Sequence, residues 1–176
     1  MTFAEPNQDI VIHLTENDKN ACVPLPKLKT LSRIICDRFG GDKKRETKYE
    51  ISIAVVDDIQ IRELNGRFLN RQGTTDCLSF DLSDGNEEPK AGHSTSRALE
   101  LIVNGEMAAR QAGRRGHSSE AELALYITHG LLHHFGFDDA TPSRARTMHE
   151  TEDEILKSLG YGSVYNSGAK EQEQGV

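Results

Sequence analysis

Tryptophan is absent from this chain, aromatic residues make up only 6 %, and cysteine occurs just three times. The cysteines, Cys22, Cys36 and Cys77, are odd in number and form no CxxC pair, which excludes a disulfide framework and a thiolate metal site. Thiols left free in this way point to a reducing, cytoplasmic compartment. No run approaches the ~18 apolar residues of a membrane span. The opening Met1 to Pro6 lacks the basic-then-apolar order of a secretory signal. Basic residues are also in deficit, 21 against 28 acidic, for a formal charge of -7. That balance excludes bulk, sequence-blind nucleic-acid binding driven by counterion release. A local basic groove remains open to Lys43-Lys44-Arg45, to Arg62, Arg67 and Arg71, or to Arg110, Arg114 and Arg115. The plain alternative for each group is solvated surface.

What is present fits one domain of 176 residues. A chain of that size buries roughly 70 % of its unfolded surface, so a metal is free to serve chemistry rather than folding. Ile10 to Leu14 reads as a strand. Pro24 and Pro26 open a helix to about Phe39, stopped by Gly40-Gly41. Tyr49 to Val56 is the clearest strand, and Asp57 or Asp58 caps a helix carrying Ile59, Ile61, Leu64 and Phe68. A strand is expected around Cys77 to Leu82, a mobile polar loop over 83–96, and a strand from Leu99 to Val103. A helix from Asn104 to Arg114 follows. Ser119 and Glu122 are spaced as a capping box for a strong helix through about His134. Thr141-Pro142 opens the last helix, whose inner face is Met148, Ile155, Leu156 and Leu159. Residues 161–176 are polar and Gly-rich, with little to bury, and read as a disordered tail behind a 1–160 domain. Strands and helices mixed in this order give an α+β layer arrangement.

The chemistry sits in His129-Gly130-Leu131-Leu132-His133-His134-Phe135-Gly136-Phe137-Asp138-Asp139. Helix positions four apart share a face, with Cβ atoms about 6 Å apart. Two imidazoles so placed can meet one ion at roughly 2.0–2.1 Å each. Gly136 can take the left-handed conformation that ends the helix, so the chain turns back and Asp138 or Asp139 approaches the same ion. Three ligands leave a position open, the catalytic rather than the structural pattern. Against this stands the plain reading of two histidines without metal. His134 points about 100° away around the helix, where it either backs a ligand or faces solvent. Gly130 stands where a HExxH protease carries its general-base glutamate, which disfavours peptidase activity.

These residues resemble the YbeY family of bacterial rRNA maturation factors, whose signature H-G-x-L-H-x-x-G-Y/F-D-H is matched at His129, Gly130, Leu132, His133, Gly136, Phe137 and Asp138. A second family block resembles Leu64 to Phe80, with matches at Leu64, Asn65, Thr75, Asp76, Leu78, Ser79 and Phe80. Met148 to Leu156 resembles the family's closing helix. The resemblance implies a small mixed, about four-stranded sheet packed by about five helices. It also implies a zinc-dependent endoribonuclease specific for single strands, acting in rRNA maturation and ribosome quality control with the small ribosomal subunit as partner. Hydrolysis would use water activated at the zinc. His129, His133 and Asp139 are then the metal ligands, Asp138 orients a ligand histidine, and Arg71 is first choice for the phosphate. Asp76 and Ser79 are expected to tie loops together by hydrogen bonds. Three departures from the family matter: Asp139 replaces a histidine ligand, Leu69 replaces the catalytic arginine, and the pair Glu100-Leu101 replaces Gly-Asp. Two rival readings follow, a ribosome-associated binding factor with a decayed site and a metal-dependent amide hydrolase. Whether His149 competes as a ligand stays open.

Overall fold

The computed structural model describes residues 8–40, 47–83 and 95–165. Along these run β1 (Gln8–Glu16), α1 (Leu25–Phe39), β2 (Thr47–Val56), α2 (Asp58–Leu69), β3 (Cys77–Asp81), β4 (Thr95–Asn104), α3 (Gly105–Arg115), α4 (Ser119–His134) and α5 (Pro142–Ser158). The four strands form one sheet in the order β1-β2-β4-β3. β2 is parallel to both β1 and β4, and β3 closes the far edge antiparallel to β4. Parallel neighbours need a crossover, which α1 supplies between β1 and β2. The arrangement is the α+β fold with a four-stranded mixed sheet and five helices that the resemblance implies.

The period of two along the strands sends alternate residues to opposite faces. Tyr49, Ile51, Ile53 and Val55 of β2 join Leu99, Leu101 and Val103 of β4 in the main core, under α1, α4 and α5. Val56, Ile102 and Leu78 face the other way, onto Ile61 of α2. β2 alternates accordingly, with Lys48 and Glu50 exposed, and only at its end, where Val56 is buried as well as Val55, are both faces covered.

α4 is the central helix, buried over eleven of its sixteen residues. Gly130 sets how closely it lies on the sheet. A Cβ there would stand 2.6 Å from Cys77 Sγ and 2.7 Å from Leu101 Cδ2. No side chain fits between helix and sheet at that point, so the place of the protease glutamate is filled by β3 and β4.

Several local expectations change. The cap of α4 is Ser118, whose side chain accepts from the Ala121 N–H. Counting from Ser118 puts Ala121, not Glu122, at the third helical position, so the Ser119–Glu122 capping box does not form. Glu122 turns inward instead, fully buried, to Arg115 at 3.1 Å. β4 begins at Thr95, inside the segment expected as loop, because Thr47 and Thr95 pair across β2 and β4. The rest of that expected loop, 84–94, lies outside the described residues, as does Lys43-Lys44-Arg45. Past residue 160 the chain keeps packing to 165: Val164 is buried in the main core and the Tyr165 N–H donates to Asp153 Oδ1. Composition hid this, since one valine and two tyrosines supply the contacts. Residues 166–176 lie outside the described residues.

Candidate metal centre

α4 ends in a Schellman turn. The Gly136 N–H donates to His133 O, the Phe137 N–H donates to Leu132 O, and Gly136 has φ +88°. Only glycine takes that conformation at little cost. The turn brings Phe137 O to within 3.0 Å of His133 Nδ1. Phe137 is anchored in turn against Phe39 of α1, ring centroids 4.9 Å apart. Glu152 of α5, fully buried, accepts from His129 Nδ1 at 2.7 Å.

Both Nδ1 atoms face acceptors, so both carry the proton and each Nε2 presents a lone pair. Those two Nε2 atoms lie 3.0 Å apart. Two lone pairs facing at that distance repel unless a proton or a cation lies between them. An Asp139 carboxylate oxygen completes the group, all three ligand atoms within 4.8 Å of one another. The donor set is two imidazoles and one oxygen with an exposed side toward solvent, and it fits a zinc-type ion. Burial works against the imidazolium of His129, yet the hydrogen bond and charge of Glu152, with Asp76 and Asp139 adding, hold its pKa above the ordinary value.

The face continues upstream. Glu122, Tyr126, His129 and His133 recur at four, three and four residues, one stripe along α4. Burial raises the pKa of Glu122, opposed by Arg115 and His117. His117 Nε2 lies 3.0 Å from Glu122 Oε2, near enough for charge attraction but not aligned for a hydrogen bond. Asp76 acts electrostatically on Glu122, Tyr126 and His129, which places the end of its loop beside the stripe. That loop is tied down on both sides. Asn65 Nδ2 donates to Gly73 O, and buried Asn104 donates to Thr75 O and Asp58. Asp76 itself accepts from Thr75 Oγ1 and the Cys77 N–H.

Other expected site residues go elsewhere. Asp138 orients no histidine: its carboxylate accepts from the Ala140 N–H and from Arg144 at 2.9 Å. The bend points it toward α5, and the orienting roles fall to Glu152 and Phe137 O. Ser79 sits within β3 opposite Leu101 and ties no loop among the described residues. His134 faces away from the stripe, and burial lowers its pKa against the charge of Asp81. Arg71 is exposed in the loop after α2 and makes no ion pair among the described residues, while Leu69 is 45 % exposed at the end of α2. Of the other arginines, Arg110 is engaged by Asp58 and Arg115 by Glu122. His149 does not join the ligand group; its Nδ1 is 2.8 Å from the second oxygen of Glu152.

The sequence carries only a weak signal for Glu152. It recurs at helical spacing with Met148, Ile155 and Leu156, a carboxylate in line with apolar residues, and Thr151 and Asp153 beside it are buried as well.

The family model described as Endoribonuclease YbeY matches residues 13–160. A relative of that name from Nocardioides is 32 % identical over 145 residues, covering 80 % of this chain and 92 % of its own. One from Acetivibrio thermocellus is 38 % identical over 125 residues, covering 66 % and 77 %. A solution structure from Thermotoga maritima shares the fold, with TM-score 0.53 and 21 % identity over 85 % of this chain and 89 % of that one.

Proposed function

The chain belongs to the YbeY endoribonuclease family, hydrolases that act on RNA, and on that premise we propose that it cuts single-stranded RNA in rRNA maturation at a zinc ion held by His129, His133 and Asp139. The observation that carries this reading is the pair of Nε2 atoms 3.0 Å apart, each on a ring whose other nitrogen is held by an acceptor. When bound, the ion supplies Lewis acidity toward a phosphodiester and toward water.

The protein's own groups do the rest. Glu152 and Phe137 O fix the tautomer and the direction of the two imidazoles before any ion arrives, so little ordering entropy is lost on binding. Asp139, exposed where His129 and His133 are half-buried, leaves the open side of the site toward the substrate. Its negative charge makes the centre a weaker Lewis acid than a third imidazole would. Arg71 is the phosphate contact: it is exposed, uncommitted and on the loop that ends at Asp76. The small ribosomal subunit is the setting and the cytoplasm the place. No helix among the described residues is long and apolar enough to cross a membrane.

A second reading has one observation in its favour. Leu69 stands at the family's arginine position, and arginine's two-pronged grip on phosphate is poorly replaced. On that reading the chain is a ribosome-associated RNA-binding factor with little turnover. An amide hydrolase has none, since the sheet leaves no space for a glutamate at Gly130. Incubating the full chain with single-stranded and duplex model RNA, beside a chelated sample and a His133→Ala variant, separates the readings. Cleavage of the single strand lost in both controls supports the nuclease. Binding without cleavage supports the factor, and cleavage of peptides alone overturns both.

A further inference from the structure

We propose that segment 161–165 braces the metal centre, with His149 and Tyr165 as positioning residues that hold the Glu152 carboxylate on His129. This deepens the reading of His129, His133 and Asp139 as ligands and rests on it.

The chain of contacts is continuous. Glu152 is fully buried, and its two oxygens are divided between two rings: Oε1 to His129 Nδ1 at 2.7 Å and Oε2 to His149 Nδ1 at 2.8 Å. His149 and Glu152 are one turn apart on α5, so their pairing is set by helix geometry. The rings of His129 and His149 are near parallel, 15° apart in plane, on either side of the carboxylate. Tyr165 then covers His149, ring centroids 3.5 Å apart and planes within 10°. Tyr165 is held by its own N–H on Asp153 Oδ1 at 2.9 Å and by Val164, which is 1 % exposed in the core. At the start of the segment the Tyr161 hydroxyl donates to Glu120 Oε1, which also takes Lys27.

Each link has a physical consequence for the ion. A carboxylate with one oxygen unpaired in a dry site is costly, so without His149 the Glu152 side chain is driven to turn toward another partner. His129 then loses the acceptor that fixes its Nδ1 proton, and either ring nitrogen can face the ligand site. The Tyr165 ring covers one face of His149, which bonds Glu152, and hydrogen bonds are stronger where the local dielectric is low. Because brace and ion act on one histidine, each must tighten the other by the same factor.

The test is zinc affinity of the full chain, measured by competition with a chromophoric chelator, for wild type, His149→Ala, Tyr165→Ala and Tyr165→Phe. His149→Ala should weaken zinc on the order of 10-fold, the lower end for groups behind a ligand. Tyr165→Ala, one contact further out, should weaken it by roughly 3- to 10-fold, while Tyr165→Phe keeps the ring and wild-type affinity. Hydrogen exchange at the Tyr165 amide should slow when zinc is added to wild type and not to His133→Ala. Equal zinc affinity in wild type and Tyr165→Ala, both folded by circular dichroism, overturns the brace and leaves the ligand set standing. Failure of wild type itself to bind zinc overturns the ligand reading beneath it.

Discussion

Glu152 lies 2.7 Å from His129 Nδ1, on the opposite side of the ring from the nitrogen that faces His133. The buried carboxylate therefore decides which nitrogen of His129 is offered to an ion, although it touches no ion itself. Glu152→Ala should lower zinc affinity by roughly 10- to 100-fold, with RNA cleavage falling in step. Chelator competition and a cleavage assay on the same preparations check this. Unchanged affinity would mean that His129 is oriented by something else.

Gly130 is a packing residue with a functional consequence. Its missing side chain lets α4 rest on Cys77 and Leu101, and that contact sets where His129 and His133 stand. Gly130→Ala should cost about 1–3 kcal/mol, the usual range for an overpacked core. Urea unfolding measures it. A variant as stable as the parent would show that helix and sheet have slack here.

Leu69 and Arg71 make opposite predictions. Leu69 is 45 % exposed at the end of α2, so Leu69→Arg fits without repacking and should raise kcat/KM on RNA. Arg71→Ala should weaken RNA binding and reduce its logarithmic salt slope by about 0.7 to 1, the signature of one lost phosphate contact. Zinc affinity should not change in either variant. If both leave RNA binding and turnover untouched, the loop after α2 does not meet the substrate.

Asp81 gives a pH signature. Burial acts to raise its carboxyl, but hydrogen bonds from Ser83 and the guanidinium of Arg97 hold it at about 2, below the ordinary 3.8. A depressed carboxylate stabilises the fold above its unfolded pKa and loses that contribution as pH falls through the folded one. Asp81→Asn should therefore be less stable than wild type at neutral pH, with the gap closing from about pH 3.8 toward 2. The gap stays small, within about 1 kcal/mol, because the pair is partly exposed to solvent and screened by salt. Melting temperatures across that range test it, and a gap independent of pH contradicts it.

Much of the fold was legible because its signals are local. The β-branched run of β2, the Pro24 and Thr141-Pro142 starts and the Gly136 stop each depend on a few neighbouring residues. The His129 to His133 spacing is legible for the same reason: one helix turn sets it. The orienting role expected of Asp138 falls to Glu152 because that choice depends on how α5 packs on α4, a contact between residues more than ten positions apart. The cap of α4 shifted by one because Ser118 and Ser119 are chemically equivalent, and only the burial of Glu122 against Arg115 distinguishes the two registers. Composition gives no sign of Val164 and Tyr165, because their value lies in what α5 presents to them, His149 and Asp153.

The most direct test is the metal content of protein purified without added metal, for wild type, Asp139→Ala, His133→Ala and His149→Ala, each set beside cleavage of single-stranded RNA. The account predicts one ion per chain and cleavage in wild type, loss of both in Asp139→Ala and His133→Ala, and a weakened but present ion in His149→Ala. A wild type that cuts RNA with no metal, or an Asp139→Ala variant that keeps a full complement of it, would contradict the account.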